Sequence, residues 1–214
     1  MYVKLKMTAN PYTVTPDTNV VDAYELLHQH KIRRLPVVEN DKLVGIVTEK
    51  ELQQVSPSKA TALSVYEINY LLAKTKVKDA MYSHPISTTP DALLEEAAVL
   101  MRDNNVGALP VVDQGKLVGI ITETDIFDAF TELMGIRDIG TRLTVEAKDS
   151  PGILSELANI ISSFDVNITR IAVYRGEYKG TSDVVIRMST LDTEKIEQAL
   201  ESRGYKIVHI LKNQ

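Results

Sequence analysis

The residues best suited to chemistry are two hydroxyl–carboxylate pairs at one spacing, Thr48 with Glu51 and Thr122 with Asp125. Each pair follows an apolar run that contains Gly-Ile, Gly45-Ile46-Val47 in one case and Gly119-Ile120-Ile121 in the other. A threonine and an acid three residues apart share one face of a starting helix. The carboxylate can accept hydrogen bonds from the hydroxyls of a ligand. Thr122 and Thr124 add hydroxyls in a first turn, where unpaired backbone N–H groups favour anions. The same spacing also reads as a helix cap, with Thr122 as capping residue and Asp125 as a solvated first-turn acid. Either way the chemistry is binding rather than bond-making.

Catalytic constellations are not found in the sequence. The four histidines, His28, His30, His84 and His209, show no HExxH spacing, and there is no cysteine to join them. His28 and His30 lie two apart and cannot share a helix face. No metal centre is expected. The chain contains neither G-x-x-x-x-G-K nor G-x-S-x-G, so a P-loop and a nucleophile elbow are excluded. Glu49 and Glu123 read as acids on solvated helix starts. A non-enzymatic protein is the expectation.

Composition narrows the class further. The formal net charge of −5 argues against nucleic acid and anionic membrane as partners. The absence of cysteine suits a reducing cytoplasm. The first residues carry no basic segment followed by an apolar core, and no apolar run approaches the roughly 18 residues of a spanning helix. A cytoplasmic protein is expected.

The elements that position these residues come from an internal repeat. Residues 7–52 recur without a gap at 81–126: Met7 returns as Met81, Thr15-Pro16-Asp17 as Thr89-Pro90-Asp91, LPVV at 35–38 as 109–112, and KLVGI at 42–46 as 116–120. A repeat this long means one supersecondary unit used twice, with a natural cleft between the copies. In each copy a short extended stretch precedes Pro-Asp, with Asp17 or Asp91 expected to cap a helix. That helix runs to about His30 in the first copy and from Leu94 to about Asp103 in the second. Two apolar strands follow, joined by hairpin punctuation at residues 39–42 and 113–116, and a second helix starts at Glu49 or Glu123. The unit is β-α-β-β-α. Between the copies, Ser64 with Glu67 has capping-box spacing, and Val65, Ile68, Leu71 and Leu72 follow at helical intervals.

Beyond Arg142 the pattern changes. Strands are expected at 143–147, 168–174, 183–189 and 206–211. Helices are expected after Asp149-Ser150-Pro151-Gly152 and at 193–203, the second ended by Gly204. The order βαββαβ is ferredoxin-like, with two helices on one face of an antiparallel sheet. The organisation is therefore 1–60 first repeat, 61–76 helical linker, 77–139 second repeat and 140–214 regulatory domain, an α+β/α/β chain.

The doubled unit, with its V-x-x-x-M lead-in (Val3 to Met7; Val77 to Met81), LPVV and G-I-[VI]-T-E, resembles a CBS-domain pair, or Bateman module. The segment 149–154 with Val166-Asn167-Ile168 resembles an ACT domain. The combination is similar to the AcuB-like proteins of acetoin utilisation. This resemblance implies an adenine nucleotide as regulatory ligand in the cleft between repeats, with no other cofactor. The family's ribose-phosphate signature, G-h-h-[ST]-x-x-D with h apolar, is met in full by residues 119–125. Gly119 would let the chain pass close to the ligand, and Asp125 would hold the ribose hydroxyls. Ile120, Thr122, Thr124 and Asp125 would form this site, and the family's domain-crossed arrangement would bring Lys4, Ala9 and Ile32 to it. Arg33 would meet phosphates, while Gly107 and Ala108 would leave room for the adenine ring.

The first copy departs from the signature, with Glu51 where Asp is usual. One added methylene moves the carboxylate by about 1.5 Å, so a second, weaker nucleotide site is expected from Ile46, Thr48 and Glu51 with Arg34, Lys78, Ser83 and Val106. The ACT resemblance implies oligomerisation, at least to a dimer, and an amino-acid effector site at Asp149, Gly152 and Asn167, although many such domains serve only in assembly. The alternative to a ligand sensor is a structural assembly subunit with unoccupied sites. A regulated protein partner is expected but not identified by the sequence.

Overall fold

Two strands that change places between the repeats dominate the first half of the molecule. The structure, a computed structural model, describes residues 1–55 and 74–214. The connector helix expected at 64–72 lies outside the described residues. The chain divides into two units, Met1–Phe127 and Asp128–Gln214.

In the first unit each repeat supplies a short strand, a helix, a hairpin and a second helix. The first repeat holds β1 (Thr8–Ala9), α1 (Val20–Gln29), β2 (Arg34–Glu39), β3 (Lys42–Thr48) and α2 (Glu49–Val55). The second holds β4 (Tyr82–Ser83), α3 (Leu94–Asp103), β5 (Ala108–Asp113), β6 (Lys116–Thr122) and α4 (Glu123–Leu133). The hairpins turn on Asn40-Asp41 and Gln114-Gly115, all four with positive φ, as a two-residue primed turn requires.

The short strands cross over. β1 pairs with β6 of the other repeat, Thr8 opposite Ile120, and β4 pairs with β3, Tyr82 opposite Ile46. The two sheets therefore run β1-β6-β5 and β2-β3-β4. The lead-ins are bound the same way: Val3 and Lys4 N–H donate to the carbonyls of Ala92 and Pro90, and Val77 and Lys78 N–H to those of Thr18 and Pro16. Crossing also seats Val77 in the first repeat's core, beside Val20, Leu27, Leu35, Val37, Val47 and Leu52.

This exchange corrects two expectations. Asp17 and Asp91 do not cap helices, because α1 begins after Asn19 and α3 after Leu93. Their carboxylates instead hold the crossed lead-ins, Asp17 to Lys78 at 2.8 Å and Asp91 to Lys4 at 2.7 Å. Gly119 does not make room for a ligand. A Cβ there would stand 2.5 Å from Met7 Sδ and 3.1 Å from the Thr8 carbonyl oxygen, and Gly45 faces Met81 likewise. These glycines let the crossing strands lie close. Gly119→Ala should therefore cost about 1–3 kcal/mol of stability, seen as a lower denaturation midpoint, with nucleotide affinity of the folded protein little changed.

The second unit contains the last turns of α4, then β7 (Gly140–Lys148), α5 (Ile153–Ser162), β8 (Ile168–Arg175), β9 (Thr181–Met188), α6 (Glu194–Ser202) and β10 (Lys206–Asn213). Its antiparallel sheet runs β10-β7-β9-β8. Alternation puts Leu143 and Val145 of β7 and Val184 and Ile186 of β9 on one face, where Leu157, Ile160 and Ile161 of α5 and Ile196 and Leu200 of α6 cover them. Burial of a large aliphatic side chain contributes about 1.5–3 kcal/mol, so this cluster holds the unit together. The βαββαβ order and the ferredoxin-like arrangement match the expectation. β10 and β8 are the edges, and both expose apolar side chains: Val208 and Leu211 on β10, Ile171 and Val173 on β8.

Candidate functional site

The crossed strands bring residues of both repeats around one cavity of about 540 Å³, within the range of small-molecule sites. The first repeat contributes Arg34, Ile46, Thr48 and Glu51. The second contributes Ser83 from β4 and Val106, Gly107 and Ala108 around the start of β5. Six of the seven residues expected in the Glu51 site thus line one space. The seventh, Lys78, has its ammonium tied to Asp17.

Gly107 and Ala108, expected beside Asp125, line the Glu51 cavity instead. They follow Val106 directly in the chain, so the crossing that presents Val106 to Thr48 and Glu51 presents them too. Tyr82, His84, Pro85, Ile86, Asn104, Asn105 and Pro110 complete the lining and were not foreseen. The repeat, whose copies at 7–52 and 81–126 lie 74 residues apart, held the signal for Tyr82, the neighbour of Ser83 on the crossed strand.

Both carboxylates are held alike. Asp125 Oδ2 accepts from the Thr122 backbone N–H and hydroxyl, each at 2.7 Å, and Asp125 N–H returns a longer bond of 3.4 Å to Thr122 Oγ1. That is a reciprocal cap on α4. Glu51 Oε2 accepts from the Thr48 N–H at 3.1 Å and also from the Thr48 hydroxyl. The added methylene of Glu51 therefore does not move its carboxylate off the threonine. Glu51 is 8% exposed, and its second oxygen accepts from the Tyr82 hydroxyl at 3.3 Å. The Glu51 charge raises the Tyr82 pKa above its ordinary value.

Arg34 closes the cavity on the side of the second repeat. Its guanidinium donates to the Gly107 carbonyl, so a side chain of one repeat grips the backbone of the other. Burial and the neighbouring Arg33 lower its pKa, while Glu123 and Glu51 oppose the shift. Arg33 itself is exposed. On the Asp125 side, β1 sets Ala9 opposite Gly119 and Thr8 opposite Ile120. Thr124 is exposed, Ile32 packs against the first repeat's core, and the Lys4 ammonium is taken by Asp91.

In the second unit, Asp149 and Gly152 lie in the loop between β7 and α5, and Gly152 takes φ +91 with open space where a Cβ would project. Asn167 lies just before β8, at the opposite end of the sheet: Lys148 pairs with Thr181, whereas Met188 pairs with Ile168. One chain does not bring these residues together. Seven residues of extended strand separate the two ends by about 23 Å.

Fold and site together define a paired-repeat module with a cavity between its copies, joined to a βαββαβ module. The chain belongs to the CBS-domain family, which residues 3–57 and 77–132 match, and residues 141–204 match the ACT domain. Among solved structures, CBSX2 of Arabidopsis thaliana in complex with AMP is 34% identical, with a TM-score of 0.53 over 62% of this chain and 97% of that one. AcuB of Vibrio cholerae, assigned to acetoin utilization, is 31% identical, with a TM-score of 0.53 over 64% of this chain and 94% of that one. The CBS pair of the protein MJ0100, in complex with methylthioadenosine and S-adenosylmethionine, is 27% identical, with a TM-score of 0.51 over 62% and 97% of the two chains. Among the described residues no helix is long and apolar enough to cross a membrane.

Proposed function

We propose that this protein is a non-enzymatic cytoplasmic sensor of an adenine nucleotide, seated first in the Glu51 cavity and secondarily at Asp125. The observation that carries the reading is the 540 Å³ cavity, which draws a carboxylate, a hydroxyl and a half-buried guanidinium from crossed repeats into one space. Glu51 suits a ribose diol, since its carboxylate already faces the Tyr82 hydroxyl. Arg34 suits a phosphate, because a bidentate guanidinium is the side chain best matched to one. The AMP complex of CBSX2 and the adenosine compounds bound by MJ0100 support the ligand class. The ACT domain would assemble copies and could add an amino-acid effector at Asp149, Gly152 and Asn167, in a role within acetoin or central carbon metabolism.

Titration calorimetry with AMP, ADP, ATP and adenosine tests this directly. A ligand at about 100 times its Kd should also stabilise the protein by roughly 2.7 kcal/mol. Arg34→Ala should weaken AMP, ADP and ATP by about 10- to 100-fold, equivalent to a charge-assisted bond of 1.5–3 kcal/mol. Adenosine should lose far less, since it offers the guanidinium no phosphate. Equal losses for all four ligands would assign Arg34 to the scaffold. No binding by any of them would favour an assembly subunit with empty sites.

A further inference from the structure

The two repeats differ in the groove between their paired helices. In the first repeat, α1 and α2 close that groove with a polar network centred on Glu49 Oε1. His28 Nε2 stands 3.3 Å away, the Gln53 amide donates at 3.2 Å, and the Tyr24 hydroxyl lies at 3.5 Å. The Tyr24 ring covers His28 with centroids 4.4 Å apart. At the equivalent positions the second repeat has Ala98 for Tyr24, Arg102 for His28, Glu123 for Glu49 and Phe127 for Gln53. Arg33 is replaced by Gly107.

With Ala98 in place of Tyr24, the second groove holds a cavity of about 560 Å³. Its lining has two ends. Arg34, Arg102, Asn105 and Glu123 gather where α3 ends and α4 begins, and Arg34 and Glu123 both converge on Gly107, each 2.8 Å from where a Cβ would stand. One helical turn away the walls are Ala98, Ile126 and Phe127. Among the described residues Arg102 makes no ion pair. Two guanidinium groups against one carboxylate leave the polar end with a formal excess of one positive charge, next to an apolar wall.

We propose that the groove between α3 and α4 is a second small-molecule site, taking a carboxylate with an apolar body. Arg34 and Arg102 bind the carboxylate, Ala98 provides the space, and Phe127 and Ile126 cover the apolar part. Glu123 is placed to accept from an amine if the ligand is an amino acid. The site is independent of the nucleotide reading, although Arg34 lines both cavities.

The test is saturation-transfer NMR on the full chain without nucleotide, using 3-methylbutanoate and leucine separately. Transfer to the methyl groups of at least one probe is expected. It should disappear in Arg102→Gln and in Ala98→Tyr, which restores the residue that fills the first groove. A stronger signal from leucine assigns Glu123 to an amine, and equal signals assign binding to the guanidinium groups alone. Neither Ala98 nor Arg102 lines the Glu51 cavity, so both variants should bind AMP like the parent chain. Should AMP not bind at all, the nucleotide reading fails while the carboxylate signal remains. No transfer from either probe, or transfer that survives Arg102→Gln, overturns the proposal. So does a change of mass in light scattering for Ala98→Tyr without any carboxylate binding, which would make the groove a contact between copies.

Discussion

Glu51→Ala should weaken AMP binding by about 10- to 100-fold, and Asp125→Ala should weaken the tighter binding event far less. What each carboxylate touches sets the order. Both are anchored to a threonine three residues earlier, so neither is freer to turn toward a ligand. They differ in the company around them. Glu51 faces a cavity of about 540 Å³ and keeps its second oxygen within reach of Tyr82. Arg34 reaches the same cavity, and its counterpart in the second repeat, Ala108, has no charge to offer. On the Glu51 side a ligand with a diol and a phosphate therefore finds both partners. Calorimetry on the two single variants and the double variant decides the order. Loss of the tighter event in Asp125→Ala, with Glu51→Ala unchanged, would restore the ranking that the sequence signature suggests.

That ranking shows where reading from sequence reaches its limit. The repeat, the hairpins and the βαββαβ order were legible because each rests on local pattern: identity at a fixed offset, positive-φ turn residues, and alternation of apolar side chains. Six of the residues that the family resemblance assigns to the Glu51 site line one cavity. The crossing was not visible in local pattern, since a two-residue strand carries no periodicity, and its partner lies 112 residues from Thr8 in one case and 36 from Tyr82 in the other. Gly119 consequently looked like a ligand contact when its missing side chain accommodates Met7. Asp17 and Asp91 looked like caps because Pro-Asp before an apolar run is a common helix start; the lysines that take them belong to the other repeat. Gly107 and Ala108, expected beside Asp125, line the Glu51 cavity for the same reason. Glu51 meets its threonine despite the added methylene. Bond lengths alone displace its carboxylate, but side-chain torsions return it to Thr48.

The second large effect concerns assembly of the ACT unit, where Val173→Lys on β8 should convert a dimer to a monomer while Val208→Lys on β10 should not. Residues 207–211 of β10 are mostly apolar, which would favour that edge. Sheet order offers a different choice. Asp149 and Gly152 stand at one end of the sheet and Asn167 at the other, so a shared effector groove needs two chains placed head to tail. A twofold axis beside β8 does this. It runs two β8 edges antiparallel, sets the start of one α5 near the partner's α5–β8 loop, and, with the axis at Ala172, sets Ile171 of each copy opposite Val173 of the other, side chains that are 43% and 49% exposed. An axis beside β10 leaves Asn167 three strands from the interface, about 14 Å away, and builds no groove. A lysine at 173 places a charge against Ile171 of the other copy at both symmetry-related contacts, which is destabilising. Light scattering on the two variants, with the parent chain as reference, separates the edges. Monomers from Val208→Lys and intact dimers from Val173→Lys would move the contact to β10, and the amino-acid groove at Asp149 and Asn167 would then have no second half.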